Sequence, residues 1–89
     1  MQEPTPGDPA QQMIDYIVRE VIRRPALEIT AETPLVSSGL IDSLALVHIL
    51  AKLEDVTQRH IPAGKVLPED MDTVNLMLAT ARRVGVPRR

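Results

Sequence analysis

The chain contains no cysteine, no tryptophan and no phenylalanine, and Tyr16 is its only aromatic residue of the Phe, Trp and Tyr class. Without cysteine there is no disulfide, no thiolate metal site and no cysteine nucleophile, and His48 and His60 alone cannot complete a zinc site. No metal site is expected. The near absence of aromatics, together with a net charge of -2, removes the stacking platforms and basic surface that nucleic-acid binding uses. The opening "MQEPTPGDPAQQ" has no basic flank leading into an apolar run, and no later segment has the length and apolarity needed to span a bilayer. Neither nucleic acid nor membrane is expected as a partner, and the sequence reads as a soluble, cytoplasmic protein.

What is present is aliphatic. Apolar residues make up 44% of the 89 positions, nearly all of them Leu, Ile, Val, Met and Ala. A chain this short supports one small core, because a second could not bury enough surface to outweigh chain entropy. Pro4, Pro6, Gly7 and Pro9 mark residues 1–9 as a disordered leader. From about Ala10 to Arg24, Met13, Ile14, Ile17, Val18, Val21 and Ile22 recur at three- and four-residue steps, the helical period, until Pro25 stops them. Residues 25–41, "PALEITAETPLVSSGLI", carry two prolines and a Ser-Ser-Gly turn signal and read as a long loop, pinned to the core by Leu27, Ile29, Leu35 and Leu40. A second helix is predicted from Ser43 to about Gln58 with Asp42 as its N-cap, and Pro62 and Gly64 close it off. A short turn follows around Lys65 to Leu67. The last helix is predicted to be capped by Asp72, to carry Val74, Met77, Leu78 and Ala81 inward, and to stop at Gly85 and Pro87. The folded domain is therefore expected over residues 10–85, with 86–89 a disordered basic tail.

The second helix has two apolar faces. Leu46, Ile49, Leu50, Leu53 and Thr57 share one, the core stripe, while Leu44, Val47, His48, Ala51 and Asp55 share the other. Apolar residues at that second face mean either burial on both sides or a docking surface. Ser43 stands at the head of this helix. Its ordinary reading is a helix-start residue. A hydrolase nucleophile would need a base in reach, yet there is no Gly-x-Ser-x-Gly elbow, and His48 lies about 140 degrees around the helix. A phosphodiester on Ser43 suits the position better, because a helix start offers free amides and the positive end of the macrodipole. Asp42 opposes that charge, and its presence makes sense if it helps hold Mg²⁺ during the modification.

"GLIDSLALVHILAKLED", with "HIP" and "MDTVN" beyond it, resembles the prosthetic-group site and following elements of the acyl carrier protein superfamily, over roughly residues 12 to 84. The resemblance implies an all-α fold, a four-helix bundle with a long loop between helices 1 and 2 and a short third helix near residues 65–70. It implies 4′-phosphopantetheine from coenzyme A esterified to Ser43, with Asp42 beside the attachment point, and a carrier rather than an enzyme. It also implies that the face of Leu44, Val47, His48 and Ala51 docks partners, with Glu54 and Asp55 as ionic contacts. The partners so implied are a phosphopantetheinyl transferase, an adenylating ligase or acyltransferase, and a downstream synthase, visited by a monomeric carrier. Fatty-acid carriers are typically acidic along this helix, whereas Ala45, His48 and Lys52 stand here. The "GLIDS" form and the Asp-Thr-x-Asn helix start are more similar to free-standing carriers of polyketide or nonribosomal peptide pathways and to D-alanyl carriers serving cell-wall polymers. That similarity favours an aminoacyl over a plain acyl cargo. The competing reading is a helical interaction module that never takes a prosthetic group.

Overall fold

Pro9, expected at the end of a disordered leader, is instead the first residue of a helix in the computed structural model, which describes residues 8–87. The Asp8 carboxylate caps it by accepting from the Ala10 amide at 3.1 Å, and proline at the first helical position loses no hydrogen bond there. The rest of the expected leader, residues 1–7, and Arg88 and Arg89 of the expected tail lie outside the described residues. Helix α1 runs over Pro9–Tyr16 and continues as a π-helical stretch, Ile17–Ile22. Arg23 ends it with a left-handed backbone, φ 64°, and the amides of Arg23 and Arg24 both donate to the Val18 carbonyl. The helix therefore closes two residues before Pro25.

Helix α2, Ala45–Thr57, is regular two residues later than the sequence predicts. Its first turn is wound more tightly, with the Ala45 and Leu46 amides donating to the Asp42 and Ser43 carbonyls. Gln58, at φ 57°, closes the other end well before Pro62. Where the resemblance implies a short third helix, the chain forms two 3₁₀ turns, Ala63–Lys65 and Pro68–Met71, rather than α-helix. Helix α3 covers Val74–Val84. Asp72 does not cap it: the Thr73 hydroxyl accepts from the Leu76 amide at 3.0 Å, and the Asp72 carboxylate is used elsewhere.

The three helices meet around Met13, Ile17, Leu35, Ile49, Leu53, Ile61, Val74 and Met77, each buried. Of the residues expected to pin the loop, Leu35 is fully buried and Ile29 and Leu40 pack partly against the core, while Leu27 stays outside the cluster; Ile41, not among them, is buried too. Val86–Pro87 (β2), expected in a disordered tail, pairs antiparallel with Arg59–His60 (β1). Gly85 turns the chain from α3 into that pairing. Its φ is -75°, so the left-handed freedom of glycine is not what the position uses. Space is the reason: a Cβ here would collide with the Ala81 carbonyl oxygen and stand 3.1 Å from Arg59 Cδ. Gly85→Ala should therefore lower the unfolding free energy by about 1–3 kcal/mol. Gly64→Ala, whose Cβ meets nothing within 4 Å, should leave urea denaturation unchanged, and equal effects of the two would refute the steric account.

Candidate functional site around Ser43

Ser43 sits at the end of a long segment without regular structure, so its position depends on what holds that segment. One carboxylate does most of it. Asp72 Oδ1 accepts from three successive amides, Leu35 at 3.1 Å, Val36 at 2.8 Å and Ser37 at 2.9 Å, and its Oδ2 accepts from the Ser37 hydroxyl at 2.8 Å. Consecutive amides converging on one anion form a nest, here filled by a side chain of the same protein. Donation from the Ser37 amide is the chief reason the Asp72 carboxyl titrates below its ordinary value of 3.8, against the smaller opposing push of burial. Leu35 also donates to the Asp72 carbonyl at 2.7 Å and receives the Ile41 amide at 3.1 Å. With Leu35 and Ile41 both in the core, the chain re-emerges at Asp42 in a fixed place.

At that point the first turn of α2 presents Ser43 to solvent. Asp42 Oδ1 accepts from the Ala45 amide at 3.0 Å, which is the cap that the sequence predicts. The Ser43 hydroxyl, and the amides of Ser43 and Leu44, make no hydrogen bond among the described residues. No hydrogen bond links the Ser43 hydroxyl to His48 or to any other base, so the arrangement of an activated nucleophile is missing among the described residues. An open hydroxyl beside two unused amides at the positive end of a helix does fit a phosphodiester. Among the described residues no three metal-binding side chains come together.

The faces of α2 separate as periodicity predicts. Ile49 and Leu53 are buried, with Leu46, Leu50 and Thr57 half-buried beside them. Leu44, Val47, His48, Ala51 and Asp55 are all exposed, Leu44 at 79% and Val47 at 69%. Burial on both sides of α2 is thereby ruled out. Glu54 departs from the expectation of an outward ionic contact: its carboxylate accepts from the Ile61 amide at 2.7 Å and pairs with His60 at 3.2 Å. It fastens the segment after α2 to the helix. Sequence reasoning missed a groove of about 170 Å³ between α2 and residues 63–71, lined by Leu46, Val47, Leu50, Val66, Leu67 and Met71. Its signal was the Val66-Leu67 pair, with Leu67 exposed at 56%.

A family model described as a phosphopantetheine attachment site matches residues 14–80, a span that includes Ser43 and the Asp72 clasp. No curated protein and no solved structure gives a significant match.

The Asp72 clasp has a pH signature. Because its folded titration lies below the ordinary 3.8, its stabilisation is complete above that value and is lost as pH falls through the depressed one. Asp72→Ala should cost about 2 kcal/mol near neutral pH, as expected for losing several hydrogen bonds to one charged group. In urea denaturation the gap between the two proteins should narrow as pH drops below about 4; a gap of constant size would show that the charge is immaterial.

Proposed function

The chain belongs to the phosphopantetheine-attachment family, whose domains are carriers and not catalysts, and from that premise we propose that Ser43 is the residue that bears the prosthetic group. The observation that carries this is the exposed, unpartnered Ser43 hydroxyl at the head of α2, inside the matched span and next to a capping aspartate. When bound, 4′-phosphopantetheine supplies the thiol on which cargo is held as a thioester, so a chain without cysteine takes part in thioester chemistry. The Ser43 and Leu44 amides would be free to meet the phosphodiester charge, and buried Ile41 and Ile49 anchor the chain before and after the attachment point. Asp42 has one oxygen committed to the Ala45 amide. Its other oxygen would be available to help hold Mg²⁺ during transfer of the prosthetic group from coenzyme A.

In the finer reading, residues 63–71 take the place of the short third helix in a four-helix carrier bundle. Leu44, Val47, His48 and Ala51 form the docking face, with Asp55 at its far end, for a phosphopantetheinyl transferase, an adenylating ligase or acyltransferase, and a synthase. The cargo is an acyl or aminoacyl group of a natural-product pathway. Similarity of "GLIDS" and "DTVN" to specialised and D-alanyl carriers supports the aminoacyl form.

Incubation with coenzyme A and a promiscuous phosphopantetheinyl transferase should add one phosphopantetheine to the intact mass, and Ser43→Ala should abolish the adduct. An unmodified wild-type chain would overturn the reading in favour of a plain interaction module. Val47→Glu should slow cargo loading roughly tenfold, by placing a charge in an apolar contact. Its circular dichroism should stay unchanged because Val47 is outside the core; loss of helicity would instead make Val47 a structural residue.

A further inference from the structure

Helix α2 has a second hollow on its other flank. It lies between the end of the first helix and the first turns of α2, has a volume of about 520 Å³, and is lined by Tyr16, Glu20, Val21, Arg23, Ala45 and His48. Unlike the groove toward residues 63–71, it mixes charged groups with aliphatic ones. Glu20, Arg23 and His48 are all exposed, and among the described residues their side chains make no hydrogen bond or ion pair with one another or with anything else. Tyr16 is differently placed, its ring held under Lys52 Nζ at 5.5 Å from the centroid. Arg23 holds its position with a left-handed backbone, φ 64°, which costs a non-glycine residue about 1–2 kcal/mol.

Ser43 does not line the hollow and projects from another side of the helix, but Ala45, at its near end, is only two residues on, so an arm rooted at Ser43 reaches it by passing round the head of α2. His48, at the far end, is roughly 7.5 Å along the axis from Ser43 at the α-helical rise. A group tethered at Ser43 therefore meets this hollow at a local concentration on the order of millimolar, so contacts too weak to hold a free ligand suffice to seat it. The pantetheine arm carries two amides, a hydroxyl and a geminal dimethyl group, a mixture of donors, acceptors and aliphatic surface that matches the lining.

Resting on the assignment of Ser43 as the attachment point, we propose that the hollow between the first helix and α2 is a resting seat for the pantetheine arm. Arg23 donates to carbonyl or phosphate oxygens of the arm, Glu20 accepts from its amide N–H groups, and Val21 and Ala45 pack its geminal methyls. The seat draws the arm towards the first helix, on the flank opposite the apolar groove, and its weak contacts release the thiol whenever an enzyme offers a better site.

The test uses isotope-labelled protein, converted with unlabelled coenzyme A to the form whose mass confirms one adduct. Isotope-filtered NMR should show cross-peaks from the geminal methyls to Val21 and Ala45, with ring signals of Tyr16 and His48 shifted from the unmodified protein. The double variant Glu20→Ala, Arg23→Gly should weaken those cross-peaks at least fivefold. It should not lower the melting temperature, because glycine suits a left-handed position. Cross-peaks to Val66, Leu67 and Met71, or none to the protein, would overturn the seat while leaving the carrier role standing. Failure to form the adduct would overturn the carrier reading itself, and the seat with it.

Discussion

The carboxylate of Asp72 is the constraint on which the rest of this small structure depends. Some twenty residues pass between the first helix and α2 without regular hydrogen bonding, and their amides must be satisfied somewhere if the segment is to lie against the core. Ordering such a segment costs roughly 1–2 kcal/mol per residue in backbone entropy. A few strong contacts near its middle offset that cost better than many weak ones spread along it. The Asp72 carboxylate accepts four hydrogen bonds from residues 35–37 and its carbonyl accepts another from the Leu35 amide, the Asn75 amide donates to the Ala31 carbonyl at 2.9 Å, and Leu35 enters the core between them. Because Asp72 and Asn75 stand at the head of α3, the loop is tied to a helix whose own place is fixed by Val74 and Met77. A carrier needs a still root under a mobile arm, and this clasp supplies the stillness.

Helix α2 then divides its labour by face. Ile49 and Leu53 hold it to the bundle, and Glu54 turns inward to the Ile61 amide, so the far end is secured without using the outward surface. The outward surface keeps Leu44 and Val47 exposed near Ser43. Two large apolar side chains side by side at a helix head stand outside the core, and their exposure supports the proposed docking role. The acidic character common along this helix in fatty-acid carriers is largely absent here. Asp42 is spent on a cap and Glu54 on an internal bond, so the proposed docking face would act mainly through apolar contact, with Asp55 at its far end.

Much of this was legible in the sequence because it is local or periodic. The stripe from Met13 to Ile22, the two faces of α2 and the stripe from Val74 to Ala81 follow from helical spacing, and Asp42 announces its cap by position. What escaped were choices decided by distant partners. "MDTVN" offers both Asp72 and Thr73 as caps, and the competing amides at residues 35–37 that draw Asp72 away lie some thirty-five positions earlier. Glu54 looked like an outward charge because its acceptor role is defined only by how the chain after Gln58 folds back. The pairing of Arg59–His60 with Val86–Pro87 has no signature in two residues. The hollow at Tyr16, Glu20, Val21, Arg23, Ala45 and His48 exists only once two helices are packed.

If the outward face docks partners as proposed, its energies suit an itinerant role. Burying an exposed Leu and an exposed Val yields on the order of 1.5–3 kcal/mol each, so Leu44 and Val47 together offer roughly 3–6 kcal/mol before any cost is counted. Association removes several kcal/mol through lost rigid-body freedom and side-chain ordering. What remains is small, so the complex forms and parts readily, and residence is controlled by dissociation. Strengthening the face would slow the carrier's departure from each enzyme, and weakening it would reduce encounters that last long enough for transfer. On the proposed reading the site would therefore combine opposite requirements within a few residues of one another: a root fastened by charge-assisted hydrogen bonds and buried isoleucines, and beside it a contact surface of slight net affinity.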